Sequence, residues 1–220
     1  MINESPHVRT CCRGTFGKVF VLFISIVTFY LFSNNIAFAI NLGLIETITL
    51  KQHLSSWVIL DARPRAEWMA GHITGALPFS WEDYTRTDEN GIPYRVWPPK
   101  DLAKALGEMG IDENTSIVVY GDTDKSWGGE GWNCWVFAWL GHKGPIRVLA
   151  GGIQAWRNNN FPFETVSSKV KMPARRYQVR LNPQFDIATE ELKKTKSGLT
   201  LIDTRSTLEW LKGKIPGAIH

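Results

Sequence analysis

The sequence predicts an α/β fold built on a mostly parallel sheet flanked by helices. Three observations lead to it. Short β-branched runs alternate with helical spacing through a unit of about 115 residues. One run, Ser116–Tyr120, is apolar almost throughout, as a strand covered on both faces would be. A strand–turn–helix–glycine signature, Val58–Pro78, occurs twice.

The second occurrence is Thr200–His220. Asp61, Arg63, Glu67, Trp68, Gly71, Ile73, Gly75 and Ala76 recur as Asp203, Arg205, Glu209, Trp210, Gly213, Ile215, Gly217 and Ala218, always 142 residues on. A constant offset without gaps marks an internal duplication. The second copy opens a further unit that this sequence leaves incomplete.

Composition narrows the field. Hydrophobic residues make up 44% and charged residues 21%, which fits a folded chain rather than a disordered one. Ten tryptophans point to aromatic-rich packing. The net charge of +4 falls to +2 when residues 1–39 are set aside, since Arg9, Arg13 and Lys18 leave together with Glu4. That excess is too small to argue for nucleic acid. Three cysteines, two of them neighbours at 11 and 12, do not make a disulfide framework.

The elements follow in order. Residues 1–18 are polar and basic, Val19–Phe32 is apolar, and Ala37-Phe38-Ala39 offers a small-residue cleavage site. This order reads as a secretory signal peptide at 1–39, or as an uncleaved anchor over 19–40. Either reading puts the remainder outside the cytoplasm, in a periplasm or secreted, with a membrane contact only through this segment. Thr49–Ser55 reads as a short helix and Trp57–Leu60 as a strand. Pro64 opens the next helix, where a missing N–H costs little. Glu67 lies near its positive end and Gly71 closes it. Ala76–Phe79 reads as a strand, and Trp81–Pro99 as irregular. Asp101–Met109 has helical spacing. Gly121–Gly131 reads as a loop, Trp132–Leu140 as a helix, Ile146–Leu149 as a strand and Gly152–Asn158 as a last helix. The first domain is placed at 46–165. A basic linker, exposed and running over that domain, follows at 166–184, and the incomplete second unit at 185–220 opens with a polar helix over Pro183–Lys194.

In an open parallel sheet, ligands sit beyond the carboxyl ends of the strands. The candidate site is therefore the loop Gly121, Asp122, Thr123, Asp124, Lys125, Ser126, Trp127, Gly128, Gly129 and Glu130, which feeds a helix N-terminus. Free N–H groups there could cradle an anion, but Asp122, Asp124 and Glu130 oppose one. The loop lacks the Gly-Lys-Ser/Thr of a P-loop. Asp61 and Arg63 could form an acid–base pair, yet a turn pinned by an ion pair is the plainer reading. His72 and His142 follow glycines at helix ends, with no second ligand at zinc-like spacing, so no metal and no cofactor are expected.

These motifs together resemble the rhodanese domain. They are the Asp-x-Arg turn, the Glu-Trp helix, Gly-His-Ile-x-Gly-Ala with His72 and Gly75, the Val-Val-Tyr strand, Leu-Gly-His, and Val-Leu-Ala-Gly-Gly-Ile-Gln-Ala-Trp. The resemblance covers Glu46–Phe163 and the start of a second unit at Asp186–His220. The tandem layout is similar to thiosulfate or 3-mercaptopyruvate sulfurtransferases. It implies transfer of sulfane sulfur from thiosulfate or a mercapto acid, through a cysteine persulfide, to a thiophilic acceptor. The implied partner is a small sulfur-containing anion or a thiol. The chain departs from the pattern where the nucleophile belongs, because Gly121 and Asp122 follow the Val-Val-Tyr strand. Cys134 is a poor substitute, since a reactive thiol belongs on the loop or at the first helical N–H groups. The expectation is an inactive first domain. The alternative is a non-catalytic binding or regulatory module. A phosphatase of the Cys-x5-Arg kind is excluded for want of both residues.

Overall fold

The computed structural model describes residues 40–123, 125, 128–165, 172–195 and 198–220. The expected N-terminal address at 1–39 lies outside them, as do Asp124, Ser126, Trp127 and the first residues of the linker. Among the described residues no helix is long and apolar enough to cross a membrane.

Five parallel strands form the main sheet: β1 (Leu42–Ile45), β2 (Val58–Asp61), β4 (Leu77–Pro78), β7 (Ile117–Tyr120) and β8 (Ile146–Leu149), in the order β1-β8-β7-β2-β4. The central strand β7 pairs with β2 from Val58↔Ile117 to Asp61↔Tyr120, and with β8 from Ile117↔Ile146. Strand alternation splits the core in two. Leu60, Ile117 and Val119 pack with Leu102 and Leu106 of α3 (Pro99–Glu108) and Val136, Phe137 and Leu140 of α4 (Gly129–Leu140). Ile59, Val118 and Tyr120 pack with Leu50 of α1 (Thr47–Gln52) and Ile153 and Trp156 of α5 (Gly152–Asn158). Helices on both faces explain why β7 is apolar along its length and fully buried.

The small elements refine the reading. β1 precedes the expected start at residue 46 and pairs with β8, so the sheet begins at Leu42. Thr49–Ser55 resolves into α1 and a 3₁₀ turn at Leu54–Ser56. Pro64 is not the first helical residue. It caps α2 (Arg65–Ala70) in an extended conformation, φ −49° and ψ 143°. Trp81–Pro99 is not wholly irregular: β5 (Thr85–Arg86) pairs antiparallel with β6 (Arg95–Val96). Tyr84 packs on Phe79 and Trp97 beneath this hairpin, and those aromatic contacts hold it. A second ribbon joins β3 (His72–Ile73) to β9 (Phe163–Glu164). Gly71 ends α2 at φ +148°, where a side chain would also run into the Phe163 ring.

The linker does more than pass over the first domain. Arg175 N–H donates to Gly107 O (2.8 Å) and its guanidinium pairs with Asp112 (2.8 Å). Arg180 and Asn182 N–H donate to Leu140 and Trp139 carbonyls, and Trp135 Nε1–H to Phe185 O (2.5 Å). Tyr177 is only 5% exposed. Backbone donors need partners, and the edge of α4 and the turn after α3 supply them. Residues 175–185 are therefore fastened to the first domain rather than merely laid across it. Tyr177→Phe is expected to destabilise the protein by about 1–3 kcal/mol in urea unfolding, because it leaves a buried imidazole nitrogen of His142 unpaired.

The second copy is sparser. The expected helix at Pro183–Lys194 divides into a 3₁₀ turn, Pro183–Phe185, and α6 (Thr189–Lys194). The strand expected after Thr200 is reduced to one parallel bridge, Ile202↔Ile219, which repeats the Leu60↔Leu77 pairing of β2 and β4. α7 (Thr207–Lys212) begins with a capping box between Ser206 and Glu209.

Candidate functional site

The site is the carboxyl end of β7. Gly121 O accepts from Ile153 N–H (2.9 Å), and any side chain at Gly152 would meet the same carbonyl. The strand-to-loop turn is thus fastened to the start of α5. Gly121 and Asp122 are both buried. Gln154 holds the next residues: its Nε2–H donates to Asp122 Oδ1 (2.5 Å), and its carbonyl accepts from Thr123 N–H (3.2 Å). The Gln-Ala-Trp segment after the paired glycines therefore shapes the loop, which motif reading alone did not assign.

The helix beyond the loop starts at Gly129, three residues earlier than expected, behind Gly128 in the left-handed conformation (φ +79°). Gly129 lies against Ala62 O, where an added Cβ would come within 2.8 Å, so a bare backbone is needed to bring α4 onto the turn after β2. The earlier start places Cys134 deeper in α4. It is 8% exposed, within the core cluster of Phe137 and Leu140. Burial pushes its thiol up to about 11, with the Glu130 carboxylate adding to the shift. At neutral pH this is a thiol, not a thiolate nucleophile.

Asp61 and Arg63 stand beside the loop but are consumed by each other. Arg63 Nε and Nη2 donate to the Asp61 carboxylate (2.9 and 2.6 Å), Arg63 N–H donates to Oδ1 (3.0 Å), and Tyr120 O–H donates to Oδ2 (2.6 Å). Arg63 Nη2 also donates to Gly71 O (2.7 Å), closing the α2 turn, while Glu67 approaches at 3.8 Å. Burial opposes the Arg63 charge, but Asp61 outweighs it and holds the guanidinium above its ordinary value. Burial, then Asp61, raises the Tyr120 hydroxyl well above the phenol range. In the second copy Arg205, its side chain about half exposed, repeats the clamp onto Asp203 (2.9 and 2.6 Å) and Gly213 O (2.7 Å). Gly75 and Gly217 both turn at positive φ, +77° and +85°. The Asp–Arg clamp and the glycine turns thus recur on a buried and a more exposed background, whereas Glu67 approaches Arg63 and its counterpart Glu209 instead caps α7 through Ser206.

His142 is likewise occupied. Its Nε2–H donates to Thr115 O (2.8 Å), so Nδ1 accepts from Tyr177 O–H (3.1 Å). Burial lowers its pKa and favours the neutral ring. Among the described residues, no three His, Cys, Asp or Glu side chains gather as metal ligands. A groove of about 640 Å³ lies away from the loop, beside Leu192, Leu199, Leu201 and Ile215 of the second copy.

Comparison with known proteins agrees with this architecture. The family model for the rhodanese-like domain matches residues 46–159. The sulfur carrier protein TtuD of Thermus thermophilus is 30% identical over 146 residues, covering 64% of this chain and 48% of TtuD. The 3-mercaptopyruvate sulfurtransferase of Escherichia coli K12 is 23% identical over 176 residues, 73% of this chain and 59% of the relative. The crystal structure of SseA from Escherichia coli, described as a 3-mercaptopyruvate sulfotransferase with the rhodanese fold, superposes with a TM-score of 0.68 at 22% identity, over 80% of this chain and 72% of that one. The chain spans about half the length of the curated relatives it matches.

Proposed function

The chain belongs to the rhodanese-like domain family, and from that membership we propose that it serves sulfane-sulfur transfer with its first domain as a non-reacting unit. In this chemistry a cysteine thiolate attacks the outer sulfur of thiosulfate, or the thiol sulfur of a mercapto acid. The donor's S–S or C–S bond breaks and sulfite or the keto acid leaves. The resulting persulfide then gives its outer sulfur to a thiophilic acceptor. The observation that carries the reading is at the end of β7. The position that should bear the thiolate holds Gly121 and Asp122, and Asp122 is locked to Gln154. Cys134 is buried and protonated in its place. The reacting cysteine is then not among residues 40–220, and residues 1–39 act as an export address.

A second reading, a non-catalytic binding module, draws on the same lock, since a loop fastened to α5 presents a fixed surface without a nucleophile. One pair of assays separates them. Protein immunoprecipitated from its own cells is expected to form thiocyanate from thiosulfate and cyanide, or sulfide from 3-mercaptopyruvate and a thiol. Inactive immunoprecipitates would favour the binding module. Recombinant residues 40–220 are expected to be inactive, and Cys134→Ser to change nothing. Recombinant turnover that disappears in Cys134→Ser would overturn the assignment of a non-reacting unit.

A further inference from the structure

We propose that His72 is a charge-operated latch: its protonated imidazole holds β9 against β3 through Glu164, and loss of the proton loosens that ribbon. His72 is 1% exposed and stands directly opposite Glu164 in the β3–β9 register. Its Nδ1 lies 2.8 Å from Trp68 O. A carbonyl only accepts, so Nδ1 carries a hydrogen and Nε2 is the nitrogen whose protonation changes. Among the described residues Nε2 is buried without a hydrogen-bond partner, and Glu164 Oε2 lies 3.9 Å from it. With a neutral ring, a lone pair faces a carboxylate. With a proton, the same geometry is an ion pair.

The duplication supplies an independent argument. His72 stacks on Trp68, ring centroids 4.3 Å apart and planes 14° from parallel. The constant offset carries Trp68 onto Trp210 and His72 onto Lys214. Lys214 Nζ sits 3.4 Å from the centroid of the Trp210 ring. At the position equivalent to His72, the second copy thus sets a permanent cation on the indole, as an indole face favours, while the His220 ring stacks on the same indole with centroids 5.3 Å apart. The first copy places a titratable side chain in that role.

Among the described residues, Glu164 is the acid beside this imidazole. Arg63, which donates to Gly71 O, is neutralised by Asp61 and approached by Glu67. Arg65 of α2 lies 6.0 Å from the Trp68 ring and pairs with Asp83. Arg157 of α5 covers Phe163 on the outer side of β9. Tyr120 of β7 accepts from Ile73 N–H through its hydroxyl and is bound to Asp61. Glu164 also accepts from Gly75 N–H at 3.4 Å, so the latch ties β9 to the glycine turn as well. Because β9 ends the first domain, the proton on His72 sets how firmly the chain is held where it leaves that domain.

The test is amide exchange on the full chain, corrected for intrinsic rates, with the His72 ring followed by NMR. From about pH 8 to about pH 5.5 the β3 and β9 amides are expected to slow by about tenfold while β2 and β7 do not change. Glu164→Gln, a nearly isosteric change at a partly exposed side chain, is expected to abolish the dependence. His72→Lys is expected to hold the slow form at both pH values. A dependence that persists in Glu164→Gln, or a His72 ring still neutral at about pH 5.5, overturns the proposal. Should His72→Lys fail to fold, the Glu164→Gln comparison and the ring titration still decide.

Discussion

Arg63→Ala is expected to destabilise the protein by about 3–5 kcal/mol in urea unfolding, whereas Arg205→Ala is expected to leave the unfolding midpoint nearly unchanged. The two side chains make the same bonds: two to an aspartate and one to a glycine carbonyl eight residues on. Their surroundings differ. Arg63 and Asp61 are 2% and 0% exposed, whereas Arg205 and Asp203 are 47% and 10% exposed, so the arginine of the second clamp is open to water. Removing Arg63 strands a buried carboxylate that keeps only the Tyr120 hydroxyl and a backbone N–H. It also leaves Gly71 O without its donor. Removing Arg205 lets water replace it on Asp203 and Gly213. Arg63→Lys is expected to fall between the extremes, because one ammonium cannot reproduce a forked contact with both a carboxylate and a carbonyl. Equal losses at the two positions would mean that the clamp stabilises through local turn geometry, not through burial. The turn after β2 would then need a different account.

Much of the fold was legible because its signals are local and periodic. β7 announced itself by an unbroken apolar run, and the duplication identified Asp61 and Arg63 as a recurring pair before any contact was known. The structure explains their recurrence: the pair closes a turn onto the glycine that follows the helix. What could not be read depended on tertiary partners. β1 is four residues, Leu-Gly-Leu-Ile, close in sequence to the apolar N-terminal run, and its pairing with β8 defines it. The β5–β6 hairpin is held by the Phe79, Tyr84 and Trp97 rings rather than by strand propensity. Gly128–Gly131 reads as loop by composition, yet α4 starts there because Gly129 must press against Ala62 O. Gln154 carries no signature of its own, since its role exists only once α5 is set beside the end of β7. The linker reads as exposed because of its arginines, yet among its described residues Tyr177 is buried in the core and Val179 packs against it.

The last expectation concerns how unevenly stability is distributed along the chain. Amides of Val58–Asp61 and Ile117–Tyr120 are expected to be protected at least about a thousandfold more than those of Leu201–Ile219. In the first copy, Leu60 is 0% exposed between β7, β4 and the α3–α4 layer; its counterpart Ile202 is 68% exposed. Leu199, Leu208, Leu211, Ile215 and Ile219 are also exposed. A buried aliphatic side chain contributes about 1.5–3 kcal/mol, and ordering one residue costs about 1–2 kcal/mol of backbone entropy. β2 recovers that cost because every neighbour is in place. The second copy has the cap, the arginine clamp and one bridge, but few buried side chains to offset the same entropy. A thousandfold ratio corresponds to about 4 kcal/mol, which is within the span between local fraying and global unfolding of a domain. Exchange by mass spectrometry at peptide resolution is sufficient to measure it. The linker is the internal control: Arg175–Phe185, fastened to α3 and α4, should fall between the two copies. Protection across Leu201–Ile219 equal to that of β2 would show that the duplicated signature carries its own stability. The apolar layer that surrounds it in the first domain would then be dispensable.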